Sequence, residues 1–121
     1  MSRMTLQHTS LEIRPADVEA ELRFWALLGF EHVDTPPGIG VDATWVARNS
    51  THIHLLHDDA PTTMPRGHVA VLVDDYDGAL TRLAGAGFDF EPQDPFWGAS
   101  RGFVRTPAGH RVEVMASPPP P

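Results

Sequence analysis

The chain has 121 residues, enough for one compact domain with its own core and short for two independent ones. It has no cysteine, which excludes disulfides and thiolate-ligated zinc, and no apolar run approaches the roughly 20 residues a membrane helix needs. Nine basic residues stand against sixteen acidic ones, a net charge of −7, which argues against nucleic acid and anionic membranes and leaves small molecules and other proteins as partners.

The N-terminus lacks a signal-peptide core, so the expected location is the cytoplasm. The first element is a strand over Leu6–Ile13, whose alternation puts Leu6, His8, Ser10 and Glu12 on one face and Thr9, Leu11 and Ile13 on the other. Asp17 is placed to cap a helix whose Val18, Leu22, Trp25 and Leu28 share one stripe, and Gly29 suits its C-terminal end. Trp25 reads as core. Short strands are expected at 30–34, 43–48 and 51–57, with the loop "DTPPGIGVD" (34–42) between the first two. The last of these strands opens "THIHLLHDD", with three histidines at 52, 54 and 57. His52 and His54 share a face. His57 is expected on the helix side or at the strand end, and His32 and His110 at strand edges or turns; all three are expected on the surface.

"DDAPTTMPRG" (58–67) has linker composition, and a second strand opens at His68. Asp75 is placed to cap a second helix, with Leu80 and Leu83 inward and Gly87 at its end. Strands are expected at 88–91, 101–106 and 110–115, separated by the Pro- and Gly-bounded loop "EPQDPFWGAS" (91–100). The terminal "SPPPP" (117–121) is expected to be disordered, because nothing follows it that could pack.

The two halves repeat each other. "HTSLEIRPADVEAELRFWALLGFEHV" from His8 and "HVAVLVDDYDGALTRLAGAGFDFE" from His68 each run from a histidine through a strand, an acidic residue and a helical segment to Gly-Phe. "WVARNSTHIHL" (45–55) and "FVRTPAGHRVEV" (103–114) then match, and the offset stays at 58 to 60 residues. The reading is an α+β fold, a single domain over 1–116 built from two tandem βαβββ modules, 5–57 and 67–116, with a linker at 58–66. One helix can cover one face of each small sheet, and the polar face at His8, Ser10 and Glu12 favours a cavity on the other.

The repeat makes His8 equivalent to His68, and His54 ("IHL") equivalent to Glu113 ("VEV"). If the two sheets face each other about a pseudo-twofold axis, these four side chains converge. Three imidazoles and a carboxylate suit zinc, nickel, manganese, iron(II) or cobalt, and His8, His68 and Glu113 alone leave open positions for substrate and water. Around them Trp45, Phe103 and Trp97 are candidate aromatic walls, with ordinary packing the rival role for the first two. Arg101 is a candidate anion anchor, His52 a rim residue, and Arg111 a rival partner for Glu113.

"LQHTSLEIRPADVEAELRFWALLGFEHV", "GHVAVLVDD" and "TPAGHRVEVM" together resemble the vicinal oxygen chelate superfamily, which includes glyoxalase I, fosfomycin and bleomycin resistance proteins and extradiol dioxygenases. The resemblance covers residues 6 to 116. It implies βαβββ modules curved into a cup of mixed sheet, a homodimer, and a divalent metal on the first and last strands, which here are His8, His54, His68 and Glu113. Two features depart from glyoxalase I: a histidine at 54 in place of a glutamate, and "TPAG" (106–109) in place of the usual Asp-Pro-x-Gly turn. The implied activity is a metal-dependent enzyme that chelates two neighbouring substrate oxygens, as a glyoxalase or isomerase, a thiol transferase or a dioxygenase, with Glu113 able to act as a base. The competing implication is a metal-free binding protein of the bleomycin-resistance kind that sequesters a cationic or aromatic compound.

Overall fold

The computed structural model describes residues 4–121, and the chain divides into two compact units between Thr62 and Thr63. The first unit (module one) contains β1 (His8–Ile13), α1 (Val18–Leu27), β2 (Glu31–Val33), β3 (Ala43–Arg48) and β4 (Thr51–His57). The second (module two) contains β5 (Val69–Leu72), α2 (Tyr76–Gly85), β6 (Glu91–Gln93), β7 (Arg101–Arg105) and β8 (Arg111–Met115). Each is a βαβββ unit with one four-stranded mixed sheet, in the orders β1-β4-β3-β2 and β5-β8-β7-β6. In both, the first strand runs parallel to the last and the remaining pairs are antiparallel. A parallel pair needs a long crossover, and the helix supplies it. The fold is therefore α+β, as the repeat implies.

One face of each sheet is apolar and packs under its helix. Leu11, Ile13, Val46, Ile53 and Leu55 are buried in module one, and Val71, Val104, Val112 and Val114 in module two. Full burial of such side chains stabilises by about 1.5–3 kcal/mol each. The strand period of two then sends His8, Trp45, His52 and His54 to the opposite face of the first sheet. The same parity sends Arg101, Phe103, Arg111 and Glu113 to the opposite face of the second.

The helices differ from expectation in instructive ways. The buried stripe of α1 is Glu21, Phe24, Trp25 and Leu28, while Val18 and Leu22 are half-buried. A carboxylate enters this stripe because the Trp25 indole Nε1 donates to Glu21 Oε1 at 3.2 Å. Asp17 makes no side-chain cap; a single 3-10 turn over Pro15–Asp17 leads into the helix instead. Asp75 does cap α2, accepting from Gly78 N at 3.0 Å. In α2 the inward residues are Ala79 and Leu83, with Leu80 half-buried. Gly29 and Gly87 both follow their helices at positive φ, 89° and 88°, where L-residues are strained.

β1 begins at His8 rather than Leu6, which is exposed. β6 begins at Glu91 rather than at residue 88, because the backbone N–H of Phe88 still closes the helix end on Leu83 O. Pro92 is tolerated within β6 because that strand lies at the sheet edge. His110 is buried rather than on the surface, its N–H donating to Thr106 Oγ1 in the β7–β8 turn. His57 faces the helix side, half-buried and bonded to Thr44 Oγ1 at 2.9 Å, while His32 is exposed as expected.

Candidate functional site

In module one the site face is built of rings. His54 lies on the inner strand β4, directly opposite Trp45 on β3 and opposite Ser10 on β1. The Trp45 ring stacks on His54 at 3.8 Å with 7° between planes, and His8 stacks on its other side at 4.1 Å and 19°. His52 stands edge-on to both Trp45 and His54. The cluster leaves two buried nitrogens, His54 Nε2 and His52 Nδ1, with no hydrogen-bond partner among the described residues. Burial first, and then repulsion from His8 and His52, holds the His54 imidazole below its ordinary value of 6.5. His8 is exposed, and its Nδ1 lies 2.8 Å from Gln7 Oε1. An amide oxygen only accepts, so Nδ1 carries the proton and Nε2 keeps its lone pair.

In module two the same face is built of charges. Glu113 lies on β8 opposite Phe103 on β7, the register position that His54 and Trp45 hold in module one. Glu113 Oε2 accepts from the Arg101 guanidinium at 3.1 Å, and Oε1 lies 3.2 Å from His68 Nε2. Arg101 is engaged elsewhere too: its Nε donates to Asp94 O at 2.9 Å and its guanidinium carbon sits 4.5 Å from the Phe96 ring centroid. Arg111 is not the partner of Glu113; it stacks 3.5 Å over Phe103 and donates to Arg66 O. Phe103 is buried and meets the His68 ring edge to face at 4.9 Å. Trp97 is half-buried, with its Nε1 donating to Ser117 O, so the first residue of the proline tail is tied to that loop. A pocket of about 400 Å³ opens beside this face, lined by Phe88, Glu91, Phe103, Arg105 and Arg111 among others.

The His68 contact has a chemical consequence. Its Nδ1 sits 2.9 Å from Arg66 O, and a carbonyl only accepts, so Nδ1 is the protonated nitrogen. In the neutral ring Nε2 is then a lone pair facing a carboxylate oxygen. A doubly protonated ring donating to the carboxylate satisfies this 3.2 Å approach, and so does a cation shared by the neutral ring and the carboxylate. Two ligands at about 2.1 Å from one metal ion lie about 3.0–3.4 Å apart across octahedral to tetrahedral angles. The observed spacing fits a shared ion. Arg101 on Oε2 and Arg66 O on Nδ1 are the outer partners that hold such ligands in orientation.

Module one fits a metal through one residue only. His8 repeats the pattern of His68 at Nδ1, which is engaged by Gln7 Oε1. His54 does not join it. A ligand lone pair lies in its ring plane, and the nearly parallel, stacked planes of His8 and His54 present no common point to one ion. Among the described residues no group of three or more His, Asp or Glu side chains is arranged to hold a metal. The Arg101–Glu113 pair went unread in the sequence, although strand parity already put residues 101 and 113 on one face. The role of Gln7 carried no sequence signal.

The Glyoxalase/Bleomycin resistance protein/Dioxygenase superfamily model matches residues 5–114. No curated protein matches the chain. Among solved structures, a glyoxalase-family protein from Bacillus anthracis is similar at TM-score 0.83 and 20% identity, covering 95% of this chain and 96% of that one. The oxidase ChaP-H2 is similar at TM-score 0.76 and 24% identity, covering 98% and 97%. The fosfomycin resistance protein FosX from Mesorhizobium loti is similar at TM-score 0.74 and 16% identity, covering 97% and 95%. At these identities the likeness concerns the fold.

Proposed function

The chain belongs to the Glyoxalase/Bleomycin resistance protein/Dioxygenase superfamily, and from that premise we propose that it is a metal-dependent enzyme acting on a small substrate with two neighbouring oxygens. The candidate ligands are His68 and Glu113 within module two and His8 within module one, imidazole and carboxylate donors of the kind divalent metal ions take. Zinc, nickel, manganese, iron or cobalt all suit these donors. The observation that carries the reading is the His68 Nε2–Glu113 Oε1 approach, with the outer face of each ligand already bonded. His8 joins the set through its equivalent place in the repeat and its matching Nδ1 bond.

A divalent metal held this way supplies Lewis acidity to the substrate oxygens. The protein's own groups do the rest. Arg66 O fixes the His68 tautomer, and Arg101 holds Oε2 so that Glu113 offers Oε1 alone. Only when it does not hold the metal would Oε1 be the oxygen available to take up a substrate proton. Trp45 and His52 in module one, and Phe103 and Trp97 in module two, are ring surfaces available to a planar substrate, whereas Arg101, engaged by Glu113 and Asp94, serves as a ligand support in this reading. The second positive charge on that face, Arg111, retains unengaged N–H groups for a substrate oxygen.

Calorimetric titration of untagged, chelator-stripped protein with zinc, nickel, manganese, cobalt and anaerobic iron(II) tests this reading. Saturable binding of at least one ion is expected, followed by turnover of one member of a panel of dicarbonyl–thiol adducts, catechols and fosfomycin with thiol. Protein that takes up none of the ions yet binds cationic or aromatic compounds would replace the enzyme with a metal-free binding protein.

A further inference from the structure

His54 occupies the register position of Glu113, yet its surroundings give its Nε2 no partner among the described residues. Nε2 is buried without a partner among the described residues, and the ring is packed face to face between Trp45 and His8. What the ring does provide is a flat surface. His8 is exposed at the start of β1, and the structure gives its side chain one hydrogen bond, to Gln7, and one ring contact, to His54. An exposed imidazole at a strand end samples several rotamers, and ordering it on ligand binding costs free energy. The stack removes that freedom beforehand.

We propose that His54 is a positioning residue: with Trp45 behind it, its ring clamps His8 in the orientation that turns Nε2 outward, and it contributes by its face rather than by a nitrogen. The inference rests on the reading above, in which His8 is a ligand. The layers divide the work between three strands. Trp45 on β3 backs the stack, His54 on β4 is its buried middle layer, and His8 on β1 is its exposed working layer. His52 stands across the edges of the Trp45 and His54 rings and limits their sliding. Preorganised ligands of this kind bind more tightly because less is lost on ordering them.

The aromatic character of residue 54 is therefore what matters, and His54→Phe should substitute for it while His54→Ala should not. Two readouts separate this from a merely structural role. In metal-free protein the His8 ring protons should show an upfield ring-current shift by NMR, retained in His54→Phe and lost in His54→Ala. In the titration, His54→Ala should bind metal about tenfold more weakly, the low end of the loss seen for outer support of ligands, with His54→Phe close to wild type. Equal loss of metal affinity in both variants would make a His54 nitrogen a ligand and overturn the proposal. An unshifted His8 resonance in the wild type would overturn it as well. If the wild type binds no metal but His8 is shifted as expected, the metal reading fails while the clamp stands.

Discussion

Module one secures its site face with stacked rings, and module two secures the equivalent face with charges. The pairs Trp45–His54 and Phe103–Glu113 sit at matching points of matching strands, but their neighbours differ. Arg101 lies opposite Met115, two residues beyond Glu113; the matching place opposite Leu56 in module one is Ala43. With an arginine two residues from the aromatic, a carboxylate on the last strand has a counter-ion and can be buried. With an alanine there, the same position takes a neutral ring, which stacks. A repeated backbone thus sets addresses, and single neighbouring residues decide the chemistry at each address.

The largest expected effect comes from breaking the charged side. Glu113→Ala leaves Arg101 uncompensated at 11% side-chain exposure, and such losses cost about 3–5 kcal/mol. Chemical denaturation should show it, and a change below about 1 kcal/mol would mean that Arg101 is not held by that carboxylate. Arg101→Met removes the support of Oε2 and should weaken metal binding about 10- to 100-fold by calorimetry; unchanged affinity would remove Arg101 from the ligand's outer partners.

The helix starts extend the comparison at smaller scale. Asp75→Ala should cost about 1 kcal/mol, because its side chain caps α2, whereas Asp17→Ala, which removes no cap bond, should cost only about a few tenths. Equal costs in thermal melts would erase that difference between the modules.

The smallest effect concerns protons on the ring side. Burial and the neighbouring histidines hold His54 below its ordinary value in the folded chain, so the unfolded chain takes up the proton more readily. The contribution of neutral His54 is complete above about pH 6.5 and is lost as pH falls through the lowered folded value. Metal-free wild type should therefore lose more melting temperature between pH 7 and pH 5 than His54→Phe does. Identical slopes would show that His54 takes no part.

Much of this was legible in the sequence because it follows from period and repeat. Alternation assigned His8, His54, His68 and Glu113 to one face of their strands, and the repeat of about 60 residues paired them. Gly29 and Gly87 announced the helix ends through their φ freedom. The misses involve contacts that depend on which long side chain reaches which partner. Glu21 entered the α1 stripe with Trp25 bonding it, and Arg101 rather than Arg111 reached Glu113. For His54, residue type and position were visible in the sequence while ring orientation was not. Stacking against Trp45 and His8 is a property of rotamers, which a pattern of residues does not encode.

The proposal to be tested is that His68 and Glu113 hold a metal ion and that His8 is a metal ligand. The most direct test is the metal stoichiometry, by elemental analysis after equilibrium dialysis, of untagged wild type beside His8→Ala, His68→Ala and, as a control on the helix side, His57→Ala. A stoichiometric divalent ion is expected in wild type and His57→Ala, and its loss in His68→Ala and His8→Ala. An ion retained at full stoichiometry in His68→Ala, or none in wild type under any of the metals offered, would contradict it.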